Sequence, residues 1–101
     1  MLTHVLFFYC SADGIQANDL SHNVNRGDIV LFCTDSSTDS GVDIMIMNEE
    51  IFGPELSKFV VKDGNAVARR VLENAQTGEF TYQFGSQKCN DNQQGSFIIK
   101  G

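Results

Sequence analysis

The sequence predicts an all-β sandwich. Three observations lead there. Short apolar stretches are rich in aromatic and β-branched residues, two of them alternate strictly, and turn-forming residues separate them at short, regular intervals. Closed barrels share this pattern, whereas a parallel α/β sheet would need long helical segments between the strands.

Residues 3–10 are apolar, aromatic and β-branched, and read as a first strand. Ser11-Ala12-Asp13-Gly14 is turn chemistry. Residues 21–25 fit a short strand, and Arg26-Gly27-Asp28 a tight turn. Residues 28–34 form a strong strand whose continuous apolar run suggests a central position or burial on both faces. Residues 35–41 are a polar loop. In 42–47, Val42, Ile44 and Ile46 fall on one face and Asp43, Met45 and Met47 on the other, the period of a half-buried strand. Residues 48–58 are irregular around Gly53-Pro54, and 58–61 form a short strand.

Residues 65–76 support two readings. Asn65 can cap a helix in which Val67, Val71, Leu72 and Ala75 share a face and Gly78 is the stop, while a strand over 66–72 fits equally well. Residues 79–85 alternate again, with Phe80, Tyr82 and Phe84 on one face, and 96–100 close the chain. The expectation is therefore one domain over 1–101 with about seven or eight strands and, on the first of those readings, one short helix near 65–76. Its core is Val5, Phe7, Val30, Phe32, Ile44, Ile46, Phe80, Tyr82, Phe84, Phe97 and Ile99. Each such side chain contributes roughly 1.5–3 kcal/mol on burial.

Composition narrows the function classes. Of 101 residues, 42% are hydrophobic and 20% charged, a globular balance. The net charge of −6, with only seven Lys and Arg, argues against nucleic acid or an anionic membrane surface as partner. The Arg69-Arg70 pair reads as a solvated face. The first apolar run is short, has no basic leader and is soon followed by Asp13, so it reads neither as a signal peptide nor as a membrane span. On that reading the compartment is the cytoplasm, or an exported one if a leader has been removed. Three cysteines, Cys10, Cys33 and Cys89, are an odd number, and reduced thiols are the expectation, with pairing of any two left open.

Two stretches resemble the cupredoxins, the blue-copper Greek-key sandwiches. Val24-Asn25-Arg26-Gly27-Asp28-Ile29-Val30-Leu31-Phe32 resembles the family's early segment, in which Gly-Asp turns the chain into a buried strand. Thr77-Gly78-Glu79-Phe80-Thr81-Tyr82-Gln83-Phe84-Gly85, then Cys89, then Gly95-Ser96-Phe97-Ile98-Ile99, resembles its C-terminal half, where an aromatic strand enters the ligand loop. The resemblance covers about a third of the chain and implies a cupredoxin-like fold. The copper ligands do not carry over. The family uses a His after the third strand and then Cys, His and usually Met in the last loop, soft and imidazole donors that suit copper. Here Cys89 stands near the Cys position, Asn92 where the second His belongs, Gln93 or Gln94 near the axial position, and no His lies between residues 23 and 101.

Other candidate sites are few. Asp35, Ser37, Asp39 and Gly41 place oxygen donors at alternate positions, as a Ca²⁺ loop does, but the twelfth position is Ile46 rather than Glu, and a solvated turn explains the string as well. Cys89 is the candidate ligand for a soft metal, or an inert loop thiol. His4 and His22 read as edge or loop residues. Ile51 and Phe52, beside Glu49-Glu50, are the candidate partner-binding anchors if exposed. The functional expectation is a non-catalytic binding or structural module without catalytic residues or cofactor. It would bind a protein partner or self-associate through a strand edge. The alternative is a metal-binding protein using Asp35/Asp39 or Cys89.

Overall fold

A computed structural model describes residues 1–100. It contains nine strands: β1 Thr3–Ser11, β2 Gly14–Ala17, β3 Ser21–Val24, β4 Ile29–Thr34, β5 Val42–Ile46, β6 Lys58–Val61, β7 Val67–Arg70, β8 Gly78–Ser86 and β9 Asp91–Ile99. Single 3-10 turns cover Ser36–Thr38 and Pro54–Leu56. The strands form two facing sheets, one ordered β2-β1-β4-β7 and the other β3-β9-β8-β5-β6. Both are mixed: β1 runs parallel to β4 and β3 parallel to β9, and the other pairs are antiparallel. The all-β sandwich read from the sequence is the observed architecture.

The core lies between the sheets. Leu6, Phe8, Val30 and Phe32 enter from one side, and Ile44, Ile46, Tyr82, Phe84, Phe97 and Ile99 from the other. Tyr82 stacks on Phe97 at 4.8 Å between centroids, and Phe8 meets Phe84 at 4.9 Å, in the offset and tilted arrangements that ring quadrupoles favour. Tyr82 also lies across its cross-strand partner Gly95, where an added Cβ would come within 2.6 Å of the ring. Only glycine leaves room for that ring.

Two elements differ from the sequence reading, and two settle an alternative it left open, each for a physical reason. In β1 the buried residues are Leu6 and Phe8, whereas Val5 is exposed and Phe7 half-buried. An unbroken apolar run carries no phase, so composition could not say which set faces inward. Of the two readings for β4 the central position holds, since it lies between β1 and β7; burial alternates, with Val30, Phe32 and Thr34 inside and Ile29, Leu31 and Cys33 half-covered, so its apolar run is not buried on both faces. Of the two readings for residues 65–76 the strand is the observed one, over Val67–Arg70, and there is no helix. Pairing with β4 in the register Phe32↔Val67 to Ile29↔Arg70 turns 67–70 into an edge strand, and tertiary pairing overrides the weak helical pattern. β2 has no counterpart in the sequence reading. Gly14, at φ +103°, closes a tight hairpin on β1, and the Ile15 N–H donates to Asp91 Oδ2 at 3.0 Å, tying the hairpin to the other sheet.

Candidate functional site: a histidine pair between two carboxylates

Asp28 ends the Gly-Asp turn immediately before β4, which runs beside the parallel strand β1 in the register His4↔Val30. Its carboxylate is buried and accepts three hydrogen bonds: from the Leu2 N–H at 2.9 Å, the Asn25 N–H at 2.9 Å and His4 Nε2 at 2.7 Å. Burial alone would push this carboxyl up. Donation by the Leu2 N–H, the His4 ring and the Asn25 N–H, together with charge on His4, outweighs it and holds the pKa at about 2. The turn therefore pins the N-terminal strand through an ionised, buried acid.

The chain of contacts continues into the other sheet. His4 points inward with Leu6 and Phe8 from β1, and His22 points inward with Val24 from β3, opposite Phe97 of β9. The rings meet edge to face at 4.9 Å, with His4 Nδ1 and His22 Nε2 2.9 Å apart. His22 Nδ1 in turn lies 2.7 Å from Asp19 Oδ2 in the β2–β3 connection. Four side chains thus form one line, Asp28–His4–His22–Asp19, crossing from sheet to sheet. Both His side chains are largely covered, 14% and 18% exposed. The Tyr82 hydroxyl is buried nearby in the same half of the core with no hydrogen-bond partner among the described residues. Its pKa is raised by burial and, secondarily, by the charge of Asp19.

The sequence reading missed this line. Asp19 three residues before His22 was a legible local signal, whereas the meeting of His4 with His22 follows only from the placement of β1 and β3 in facing sheets. Chemically the line can hold and relay a proton. Every ring nitrogen is engaged, so neither imidazole is free to act as base for a nucleophile.

The sandwich's other end is where the cupredoxin resemblance would put copper. There β8 and β9 are joined by the four residues 87–90, in a hairpin whose register runs through Ser86↔Asp91. Cys89 in that turn is bonded to Cys10 at the end of β1, with the Cα atoms 5.7 Å apart. This corrects the expectation of reduced thiols: the hairpin brings together two cysteines that lie 79 positions apart, and only Cys33 stays free. Hydroxyls close the rest of this end. Thr34 Oγ1 donates to the Phe8 carbonyl at 2.8 Å and lies 2.9 Å from Thr38 Oγ1, while Ser86 Oγ donates to the Thr38 carbonyl at 3.3 Å. The donor set does not fit a blue-copper ion. Its thiolate is spent in a disulfide, and the two imidazoles stand at the far end of β1, six residues or roughly 20 Å away.

The remaining sequence candidates disperse. Asp35 caps the 3-10 turn, accepting from the Ser37 hydroxyl and, at 2.9 Å, from the Ser37 N–H. These two bonds, hydroxyl first, lower its pKa. Ser37 Oγ also accepts from the Cys10 N–H, so the Asp35-Ser37-Asp39 string folds in on itself as a turn. Cys89 is not a free thiolate for a soft metal. Ile51 and Phe52 are each 1% exposed, and Phe52 sits edge-on to Phe97 at 5.5 Å. They are core anchors for the 47–57 loop and cannot serve as exposed contacts. Arg69 lies over the Phe59 ring at 4.5 Å and donates to the Leu56 carbonyl, while Arg70 donates to the Gly27 carbonyl, so the pair does not converge on an anion.

No protein-family model matches the sequence, and no curated protein does. Solved structures do match in shape. The multicopper oxidase Fet3p, which functions in iron import, superposes at TM-score 0.64 and 16% identity over 100% of this chain and 23% of its own. The copper nitrite reductase from Nitrosomonas europaea gives 0.66 and 14% over 99% of this chain and 41% of its own. A single-site mutant of amicyanin in its reduced Cu(I) form gives 0.60 and 13% over 97% of this chain and 82% of its own. The chain thus spans about a quarter and two-fifths of the first two. Two facing mixed sheets with this strand arrangement, matched end to end at low identity, give the chain the cupredoxin-like fold.

Proposed function

We propose that the chain is a non-catalytic binding module on a cupredoxin-like sandwich, working in an oxidising compartment. One observation carries this reading. Where the fold's ligand loop belongs there is a four-residue turn, and its one soft donor, Cys89, is consumed by a bond to Cys10. A disulfide persists outside reducing cytosol, which favours an exported location over the cytoplasm. The bond staples β1 to the β8–β9 turn, so this end serves stability rather than redox chemistry.

A protein is the partner class that the surface supports. Met45, Met47 and Val60 are exposed on or beside β5 and β6, at the outer edge of the five-stranded sheet, and Gln83 and Asn92 continue that face. The net charge of −6 disfavours polyanions there as elsewhere. The test is native mass spectrometry of protein exported to an oxidising compartment and purified without chelator. The expected species carries no copper and is two hydrogens lighter than the fully reduced chain. A stoichiometric copper or calcium adduct would overturn the reading.

A further inference from the structure

Hydrogen-bond counting sets the protonation of the histidine pair. Three bonds form the line: Asp28 Oδ2 to His4 Nε2 at 2.7 Å, His4 Nδ1 to His22 Nε2 at 2.9 Å, and His22 Nδ1 to Asp19 Oδ2 at 2.7 Å. Each needs one hydrogen. A carboxylate only accepts, so the two outer bonds take a proton on His4 Nε2 and another on His22 Nδ1. Two neutral imidazoles carry only those two. The middle bond would then set two bare lone pairs against each other at hydrogen-bonding distance. A cation has to lie between them.

A metal is the less suitable cation. The arrangement does resemble a metal site in one respect, since each ring gives its other nitrogen to a carboxylate. Yet only two protein donors converge, and no group of three metal-binding side chains exists among the described residues. Two nitrogens on a tetrahedral zinc at about 2.0–2.1 Å would also stand about 3.3 Å apart, wider than the 2.9 Å found here.

We propose that His4 and His22 bind one proton in common, so that the pair carries three ring protons and a single positive charge held between Asp19 and Asp28. The third proton is the bolt between the sheets. His4 belongs to β1 of one sheet and His22 to β3 of the other, and their mutual bond exists only while that proton is present. Acid completes the clasp, and base withdraws the proton and opens it. The surroundings favour a charge of this sign. Asp28 and Asp19 face the pair from the turn before β4 and the connection before β3. β9 presents uncharged Phe97 beside His22 and Ile99 beside Val24, with exposed Lys100 beyond, and β4 presents Val30 beside His4. On β8 the titratable groups are the buried Tyr82 hydroxyl, which feels the charge of Asp19, and the exposed Glu79. The nearby cations turn elsewhere: Arg26 donates to the Ala75 carbonyl and Arg70 to that of Gly27.

The test is a pH titration of the ring nitrogens by long-range ¹H–¹⁵N correlation spectroscopy on the intact, disulfide-bonded protein. The first step with rising pH should release one proton from the pair and move the His4 Nδ1 and His22 Nε2 resonances together. Amide exchange at Thr3 to Leu6 should quicken over the same step. His22→Gln supplies an amide donor to His4 Nδ1 without an extra proton, so in that variant the coupled step should disappear while the spectrum stays dispersed. Two rings that titrate independently would overturn the proposal. So would stoichiometric shifts of both rings with micromolar Zn²⁺ at constant pH, which would make the site a metal site.

Discussion

Replacing Asp28 by asparagine should remove a defined piece of the protein's pH-dependent stability. The native carboxyl titrates at about 2 against an ordinary 3.8. A pKa lowered on folding means that the unfolded chain binds the proton more readily. The stabilisation is therefore fully present above about pH 4 and is lost as the pH falls through 2. At about 1.4 kcal/mol per pH unit the difference amounts to roughly 2.5 kcal/mol. Asp28→Asn keeps one acceptor oxygen and the side chain's shape but has no charge to lose. The assay is urea unfolding at pH 7, 4, 3 and 2, followed by far-ultraviolet dichroism because the chain has no Trp. The wild type should exceed the variant by about 2.5 kcal/mol at pH 7, and the gap should close as the pH falls to 2. Asp35, also lowered, titrates in both proteins and cancels in the difference. A gap that stays constant from pH 7 to 2 would refute the claim that an ionised, triply bonded Asp28 pins the first strand.

Other substitutions test the core and the staple. Tyr82→Phe removes a buried hydroxyl that has no partner among the described residues, and should raise the melting temperature by a few degrees, for a gain of about 1 kcal/mol. Gly95→Ala places a Cβ 2.6 Å from the Tyr82 ring and should cost about 2 kcal/mol or more in a denaturant melt. Replacing Cys10 and Cys89 together by serine frees a loop of 79 residues in the unfolded chain. By the chain-entropy account this should cost about 4 kcal/mol, read as a lower urea midpoint that dithiol no longer changes.

How far the sequence could be read depends on what each feature rests on. Alternation is local, so the faces of β5 and β8 were legible, Ile44 and Ile46 inward and Tyr82 and Phe84 inward. Continuous apolar runs carry no phase, so the inward set of β1 reads one residue out of step. The segment 67–70 takes its form from the neighbouring β4, and propensity alone could not choose between helix and strand. Long-range partners were the least legible. The bond between Cys10 and Cys89, the meeting of His4 with His22, and the burial of Ile51 and Phe52 are all consequences of the closed sandwich. Each pairs or packs residues that the sequence shows only singly. The missing copper ligands were legible because an absent His needs no structure to be seen.

The most direct test of the account is the thiol inventory. Protein exported to an oxidising compartment, denatured without reductant, should take up one alkylating group per chain, at Cys33. Its digest should contain a linked peptide pair holding Cys10 and Cys89. Three alkylated cysteines, or a native protein whose Cys89 gives the intense visible absorption of a copper thiolate, would contradict the claim that a covalent staple occupies the metal end of this sandwich.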